Sequence, residues 1–171
     1  MRYSLAFAAL LLIVVPARAA DETKLSSHDI KFINNAATGG EMEVALGKLA
    51  ATKATNDDVK KFGQQMVDDH SKANEELKGL AKGKGVDLTK AEEKATKMES
   101  KEEGKLAKKE GDAFDKAYMD MMVKDHEDDV KEFEKASKDS DDAELKSWAE
   151  KTLPTLKSHL AMAKDVKAKL K

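Results

Sequence analysis

The chain has 171 residues, of which 37% are charged and 5% are aromatic, and its formal net charge is −2. It contains no cysteine, which excludes disulfide bonds, thiol chemistry and zinc–thiolate sites. Charges of both signs are interleaved with a mild acidic excess, which argues against nucleic acid as a partner because nucleic-acid binding needs a clustered basic face.

The first predicted element is a cleavable signal peptide at residues 1–19. A basic residue, Arg2, is followed by an apolar run at residues 5–15 and by an Ala-x-Ala cleavage site at residues 17–19. The apolar run is 11 residues long, whereas a membrane span needs about 20. A retained membrane anchor is therefore the less favoured alternative.

We expect the mature chain, residues 20–171, to form one folded domain with no transmembrane segment. Cleavage removes the only two arginines from 31 basic residues while all 33 acidic residues remain, so the net charge becomes about −4. The signal peptide predicts a periplasmic or secreted protein. Any protein or envelope partner stays unidentified at this level.

Two long helices are predicted in the first half of the mature chain. The first begins at residue 26 or 27, where Ser26 and Asp29 resemble a capping box, and extends to about Ala54. Its glycines, Gly39, Gly40 and Gly47, predict either the close approach of another helix or a kink. The second helix is predicted to begin at a Thr-x-x-Asp cap at residues 55–58 and to end near Lys82.

A charged segment at residues 86–110 separates these helices from two more. Thr89 and Glu92 could cap a thin helix there, but we interpret the segment as a long crossover and not as a core helix. The third core helix is predicted at residues 111–137 and the fourth at residues 143–170. Pro154 lies within the fourth helix and should kink or divide it.

These elements predict an all-α protein. Two short-linked helical hairpins joined by a long connection are typical of a ferritin-like antiparallel four-helix bundle, with the crossover between helices 2 and 3. The alternative is a purely structural four-helix bundle that carries a flexible insertion.

Three histidines of the predicted core helices are candidate metal ligands. His70 and His126 end similar Met-Val-x-Asp-His strings, which reflect either a hairpin duplication or chance, and each string begins with a methionine, Met66 or Met122. Residues four apart lie on one helix face. Counted from the shared end of the bundle, His70 and His126 are level, with Met66, Met122, Glu43 and His159 about one turn away.

The predicted metal depends on which of these side chains bind it. Imidazole with thioether favours copper, whereas imidazole with carboxylate suits iron, manganese or zinc. The alternatives are that the histidines are hydrogen-bonded core residues and that the methionines only fill the core. The fourth mature histidine, His28, is predicted to lie on the surface.

The sequence does not support enzymatic activity. A ferritin-type di-iron centre needs Glu-x-x-His on two helices, but Val67, Val123 and Leu156 stand three residues before the core histidines. No nucleophile with an adjacent base and no phosphate-binding loop is visible.

Several short motifs between residues 27 and 168 are shared with a known family. They consist of Phe32 with Ala36 and Ala37, Glu43 with Gly47 and Ala50, Phe62 with Met66, Asp69 and His70, Phe114 with Asp115, Tyr118, Met122 and His126, and Leu153-Pro154 with His159. With these motifs the chain resembles the DUF4142 family, exported bacterial proteins of unknown function in the ferritin-like superfamily. The resemblance implies an envelope location and a four-helix core, and it supplies no established reaction.

Two functions are therefore expected. The first is an exported protein that binds copper, iron or zinc between its helices for metal buffering or envelope stress protection. The second is a metal-free structural or protein-interaction bundle of the cell envelope. Converging, inward-facing imidazoles would favour the first function.

Overall fold

Five helices make up most of residues 25–170, the part of the chain that this computed structural model describes. They are α1 (Ser27–Lys53), α2 (Asp57–Gly83), α3 (Thr89–Leu106), α4 (Gly111–Asp139) and α5 (Ala143–Lys169). No strand occurs between residues 25 and 170, so the predicted all-α class is confirmed. The predicted signal peptide, residues 1–19, lies outside the described residues.

Polar side chains before the first two long helices explain where those helices begin. Ser26 Oγ accepts a hydrogen bond from the backbone N–H of Asp29 at 3.0 Å, as predicted. At α2 the predicted cap is one residue off, because Asn56, and not Thr55, accepts the backbone N–H bond of Asp58 at 2.8 Å. The Thr55 hydroxyl instead donates to Asp115 of α4 at 2.7 Å.

The segment predicted as a crossover contains a complete helix that joins the core. Helix α3 packs on α1, and it buries Ala91, Ala95 and Leu106. The Thr38 hydroxyl of α1 donates to the Ala91 carbonyl at 3.3 Å. The prediction that this segment is not a core helix is therefore wrong. Two of the three buried residues of α3 are alanines, and the apolar face that they form is too narrow to produce a strong apolar pattern in the sequence.

Contacts at the helix ends define the directions of the four longer helices. Asp115 at the start of α4 accepts hydrogen bonds from Thr55 at the start of α2, so these two helices are parallel. Lys84 after α2 pairs with Asp142 before α5 at 2.7 Å, so α5 runs antiparallel to α2. Helix α1 packs on α2 and α4 on α5, with further α2–α5 and α1–α4 contacts.

Two glycines allow α1 and α2 to approach closely. A Cβ atom added at Gly47 would lie 2.7 Å from the Gly63 carbonyl oxygen, and one added at Gly63 would lie 2.8 Å from the Gly47 carbonyl oxygen. The predicted close approach is confirmed at Gly47 and at Gly40, where Asn74 is the neighbour, but Gly39 has no neighbour within 4 Å. Pro154 does not divide α5, which is continuous from Ala143 to Lys169.

Two apolar clusters fill the core at opposite ends of these helices. The Phe114 cluster lies where α2 and α4 begin and contains Met42, Leu46, Ala50, Ala54, Val59, Phe62, Met66, Leu106, Phe114, Tyr118, Met119, Met122, Ala163 and Val166. The Trp148 cluster lies at the other end and contains Phe32, Ile33, Ala37, Leu77, Ala81, Leu88, Ala91, Phe133, Ala136, Leu145, Trp148, Ala149 and Leu156.

None of the helices between residues 25 and 170 combines the length and the apolar character that crossing a bilayer demands.

Candidate metal centre

A polar layer separates the two apolar clusters. It consists of Glu43 from α1, His70 from α2, His126 from α4 and His159 from α5, none of them more than 6% exposed. On each of these helices the polar residue lies between residues of the Phe114 cluster on one side and residues of the Trp148 cluster on the other. Each of the four longer helices therefore contributes one buried polar side chain at the same depth.

The three imidazoles converge within this layer. Their ring centroids lie 5.7 Å apart for His70 and His126, 5.3 Å for His70 and His159, and 5.4 Å for His126 and His159. One potential ligand nitrogen from each ring lies within 4.8 Å of the others. Among the residues that the structure describes, no other group of three histidine or carboxylate side chains meets this condition.

Hydrogen bonds hold one nitrogen of each ring. His70 Nδ1 lies 2.9 Å from Glu43 Oε2, His126 Nδ1 lies 2.9 Å from the Met122 carbonyl oxygen, and His159 Nε2 lies 2.8 Å from Asp69 Oδ2. Carboxylates and carbonyls only accept hydrogen bonds, so each of these nitrogens carries a proton and donates it. The partner oxygens thus fix both the orientation and the tautomer of the rings.

The other nitrogen of each ring has no partner. His70 Nε2, His126 Nε2 and His159 Nδ1 are buried and form no hydrogen bond with residues 25–170. A buried polar atom without a partner costs about 1–3 kcal/mol. Three such atoms in one layer are a donor set in which each ring offers a nitrogen lone pair when it is neutral.

The charges of the layer are unequally shared. Burial opposes ionisation of Glu43, but His70 and His126 outweigh this effect and lower its pKa to about 2. Burial disfavours protonation of His70, yet the Glu43 charge and hydrogen bond raise its pKa. Burial lowers the pKa of His126 and of His159, so these two rings are favoured in the neutral form that binds metals.

Glu43 contacts two of the imidazoles through different oxygens. Its Oε2 accepts a hydrogen bond from His70 Nδ1. Its Oε1 lies 3.3 Å from His126 Nδ1 but accepts no hydrogen bond from residues 25–170, because that nitrogen donates to the Met122 carbonyl. The structure therefore places Glu43 against the ring nitrogens that carry protons. Such a carboxylate orients a metal-binding histidine and increases its basicity.

Glu43 and His159 were predicted about one helical turn away from His70 and His126, but the structure places all four side chains in a single layer. Glu43 and His159 contact the other histidines and do not lie a turn away from them. The reason is that side chains tilt towards the N-terminus of their own helix. Lys53 at the end of α1 pairs with Glu110 before α4 at 3.2 Å, so α1, like α5, runs antiparallel to α2 and α4. The Glu43 and His159 side chains therefore lean towards His70 and His126.

The predicted thioether ligands lie in the apolar core beside the layer. Met66 and Met122 are fully buried members of the Phe114 cluster. Met122 contributes its backbone carbonyl to the site as the acceptor for His126. Coordination by either sulfur stays a prediction. His28 has a side chain that is 43% exposed, as predicted for a surface residue.

Sequence reasoning did not assign Asp69 a role. Its side chain is 34% exposed and binds His159 on α5, not the adjacent His70. Burial opposes ionisation of Asp69, but its hydrogen bonds with Gln65 and His159 lower its pKa. The only sequence signal was its presence in the Met-Val-x-Asp-His string, which cannot indicate a partner on another helix.

Two further carboxylates border the layer on α4. Burial, followed by the Glu43 charge, raises the pKa of Asp125 to about 6 and raises the pKa of Asp129 well above its ordinary value. Asp125 Oδ2 is buried and accepts no hydrogen bond within residues 25–170. Sequence reasoning did not single out Asp129, which only the α1–α4 packing brings near Glu43.

Comparison with known proteins gives a match to a protein family. No curated protein and no solved structure matches the chain. Residues 14–166 match a family described as a domain of unknown function, DUF4142. The match covers most of the chain and includes all four residues of the polar layer. The chain belongs to the DUF4142 family.

Proposed function

We propose that this protein binds one transition-metal ion between its helices through His70, His126 and His159. The observation that carries the proposal is the convergence of three buried imidazoles. Each has one nitrogen hydrogen-bonded to an oxygen and the other without a partner among residues 25–170. Metal-binding histidines typically donate their second nitrogen to a carboxylate or carbonyl in this way.

The donor set favours zinc or copper over iron. Neutral imidazole suits both metals, and divalent copper binds a given nitrogen site more tightly than the other first-row ions. In a tetrahedral site with metal–nitrogen bonds of about 2.0–2.1 Å, the nitrogens lie about 3.3 Å apart. The ligand nitrogens lie within 4.8 Å of one another, so closing on an ion requires shifts of about 1.5 Å at most.

The nearby methionines give the proposal a second form for monovalent copper. Thioether sulfur prefers Cu(I), and Met66 and Met122 stand one helical turn before His70 and His126. A rotamer change that brings one sulfur into the layer would complete such a site. Zinc would instead complete its coordination with water, because Glu43 faces the proton-bearing nitrogens of His70 and His126.

We further propose that the protein is exported, folds as a ferritin-like bundle and buffers metal in the cell envelope without turnover. The signal-peptide pattern supports export. The parallel direction of α2 and α4, with α3 in the connection between them, supports the ferritin-like topology. The missing Glu-x-x-His motifs support storage or protection over oxygen chemistry.

The metal proposal is tested by calorimetry on the protein freed of metal with a chelator. Cu(I), Cu(II), Fe(II) and Zn(II) are titrated separately into the wild type, His126→Ala and His159→Ala. We expect the wild type to bind one ion per chain, with a dissociation constant below micromolar for zinc or copper. Binding should be at least about 100-fold weaker in both variants, because each variant lacks one of the three metal-binding imidazoles.

The matched control is His28→Ala, which removes an exposed histidine of the same chain and should leave the affinity unchanged. Circular dichroism checks that each variant is folded. Wild-type binding that is weak, or that survives both core substitutions, contradicts the proposal and favours a metal-free structural bundle whose histidines only pack. Export is tested separately by N-terminal sequencing of the mature protein, whose first residue should be Ala20.

A further inference from the structure

Four seams surround the polar layer, each between two neighbouring long helices. The α1–α2 seam is closed, because contacts at Gly40 and Gly47, on either side of Glu43, bring α1 directly against α2. The α1–α4 seam lies under α3, which packs on α1 and also contacts α4. An ion that passed there would meet the proton-bearing nitrogens of His70 and His126, which cannot bind it.

Ion pairs close the seam between α4 and α5. Lys157 binds Glu134 on one side of His159, and Lys164 binds Glu127 on its other side, each at 2.7 Å. These pairs hold the two helices together above and below the level of the polar layer.

The seam between α2 and α5 contains an open cleft of about 300 Å³. Phe62 lines this cleft, and its ring contacts that of His126 with centroids 6.3 Å apart. Gln65 and the partly exposed Met162 also line it. The cleft therefore brings solvent to side chains that border the polar layer.

A hydrogen bond closes this seam at the level of the layer. His159 Nε2 on α5 donates to Asp69 Oδ2 on α2 at 2.8 Å. Because Asp69 is 34% exposed, this bond connects a buried imidazole directly to the surface. Within residues 25–170, the other side-chain ion pairs that join the two helices lie near their ends, Lys169 with Asp58 and, just beyond α2, Lys84 with Asp142.

Asp69 keeps one carboxylate oxygen available to solvent. Its hydrogen bonds from Gln65, at 2.6 Å, and from His159 both end on Oδ2. Its Oδ1 accepts no hydrogen bond from residues 25–170. A carboxylate at the surface attracts cations, so Asp69 can hold an ion before the ion reaches the buried nitrogens.

We propose that the metal ion enters and leaves the polar layer between α2 and α5, and that the hydrogen bond between Asp69 and His159 must open to let it pass. This inference rests on the proposed metal binding. A cation bound by Asp69 weakens the attraction of the carboxylate for the His159 proton. The imidazole is then free to turn, and the unpartnered nitrogens become accessible from the cleft.

The first test uses the protein without metal. Diethyl pyrocarbonate modifies accessible imidazole nitrogens, and peptide mass spectrometry measures the rate at each histidine. His159 and His126 are 1% and 0% exposed, yet His159 should react at least about 10-fold faster, because opening of the α2–α5 seam exposes it first. The exposed His28 is the positive control. A rate at His126 equal to or above that at His159 contradicts the proposed route.

The second test links α2 to α5 across the cleft. The chain has no cysteine, and Asp58 and Lys169 line the cleft 3.5 Å apart, so a short bis-maleimide can join Asp58→Cys/Lys169→Cys. The link should slow zinc uptake and zinc release at least about 10-fold each and leave the dissociation constant within about twofold, because obstructing a route changes rates and not the equilibrium. Stopped-flow mixing with a chromophoric zinc chelator measures both rates.

Glu134→Cys/Lys157→Cys, linked in the same way, is the matched control, because it joins α5 to α4 at a native pair 2.7 Å apart. It should leave both rates unchanged, as should the α2–α5 variant before linking. A wild type that binds no ion at equilibrium refutes the metal proposal and this inference with it. This inference alone fails if zinc binds with full affinity while the α2–α5 link changes neither rate, or if the α4–α5 link slows them equally.

Discussion

The Phe114 cluster and the polar layer are buried to the same depth, yet they are built on different principles. In the cluster, Phe114, Met119 and Leu46 are fully buried and contribute apolar surface, so each favours folding in proportion to the area it removes from water. In the layer, His126 and His159 are equally buried, but each ring leaves one nitrogen without a hydrogen bond within residues 25–170.

The apolar cluster therefore stabilises the fold, whereas the polar layer keeps ring nitrogens that a ligand could bind. The unpartnered nitrogens cost free energy in the absence of a ligand, and the apolar clusters on both sides offset that cost. A core that served packing alone would place leucine or methionine at these positions. Substitutions that change either the packing or the charge, but not both, test this comparison.

The largest effect is expected for Phe114→Ala in the apolar cluster. Phe114 is fully buried and stacks on Tyr118 with ring centroids 6.3 Å apart. Removing the ring should lower the free energy of unfolding by about 3–5 kcal/mol. Urea denaturation should show this loss at every pH, while the metal affinity of the folded variant stays unchanged. A loss below about 1 kcal/mol would contradict the assignment of stability to this cluster.

The next effect is expected for Glu43→Gln in the polar layer. The substitution keeps the shape but removes the charge that pairs with His70 at 2.9 Å. Because the pKa of Glu43 falls from 4.5 to about 2 on folding, the variant should lose about 3 kcal/mol near pH 6. The matched control is Glu41→Gln, which breaks a partly exposed pair with Lys78 and should cost less than about 1 kcal/mol.

The pH dependence of that loss follows from the two partners. The lowered pKa of Glu43 stabilises the folded protein above pH 4.5, and this contribution is lost as the pH falls towards about 2. The raised pKa of His70 stabilises it below pH 6.5, and this contribution is lost as the pH rises through the folded value. The difference between wild type and Glu43→Gln should therefore peak between pH 4.5 and 6.5. A difference that does not vary with pH would show that the pair is not charged.

The smallest effect is expected at the contact between α1 and α2. Gly63→Ala places a Cβ atom 2.8 Å from the Gly47 carbonyl oxygen, so the helices must separate at a cost of about 1–3 kcal/mol. Gly79→Ala is the control on the same helix, because no atom of another described element lies within 4 Å of its Cβ position, and it should stabilise the protein by up to about 1 kcal/mol. Equal effects of the two substitutions in thermal unfolding would refute the close approach.

The helix boundaries could be predicted because local chemistry determines them. Ser26 caps α1 through its own side chain, and the segment from Gly83 to Gly85 ends α2 with a positive φ at Gly85. Local chemistry fails where the partner is remote. Thr55 has the sequence context of a cap, but its hydroxyl binds Asp115, 60 positions further along the chain.

The sequence predicted which three histidines come together in the candidate site, but not their geometry. Counting residues along straight helices brings Glu43 and His159 near the other histidines, but it ignores the tilt that places all four in one layer. The role of Asp69 depends on the α2–α5 contact, which no local pattern encodes. The same limit applies to Asp129, whose pKa is raised first by its burial in the packed bundle and then by the charge of Glu43 on α1.

The positions of the three imidazoles in the chain would couple the proposed metal binding to the folding equilibrium. His70 belongs to the first pair of long helices, whereas His126 and His159 belong to the second, so an ion held among them fastens the two halves of the chain together. The unfolded chain has no such site, and a ligand present at 100 times its dissociation constant adds about 2.7 kcal/mol to folding stability. The lifetime of this protein against proteolysis would then rise and fall with the metal content of its surroundings.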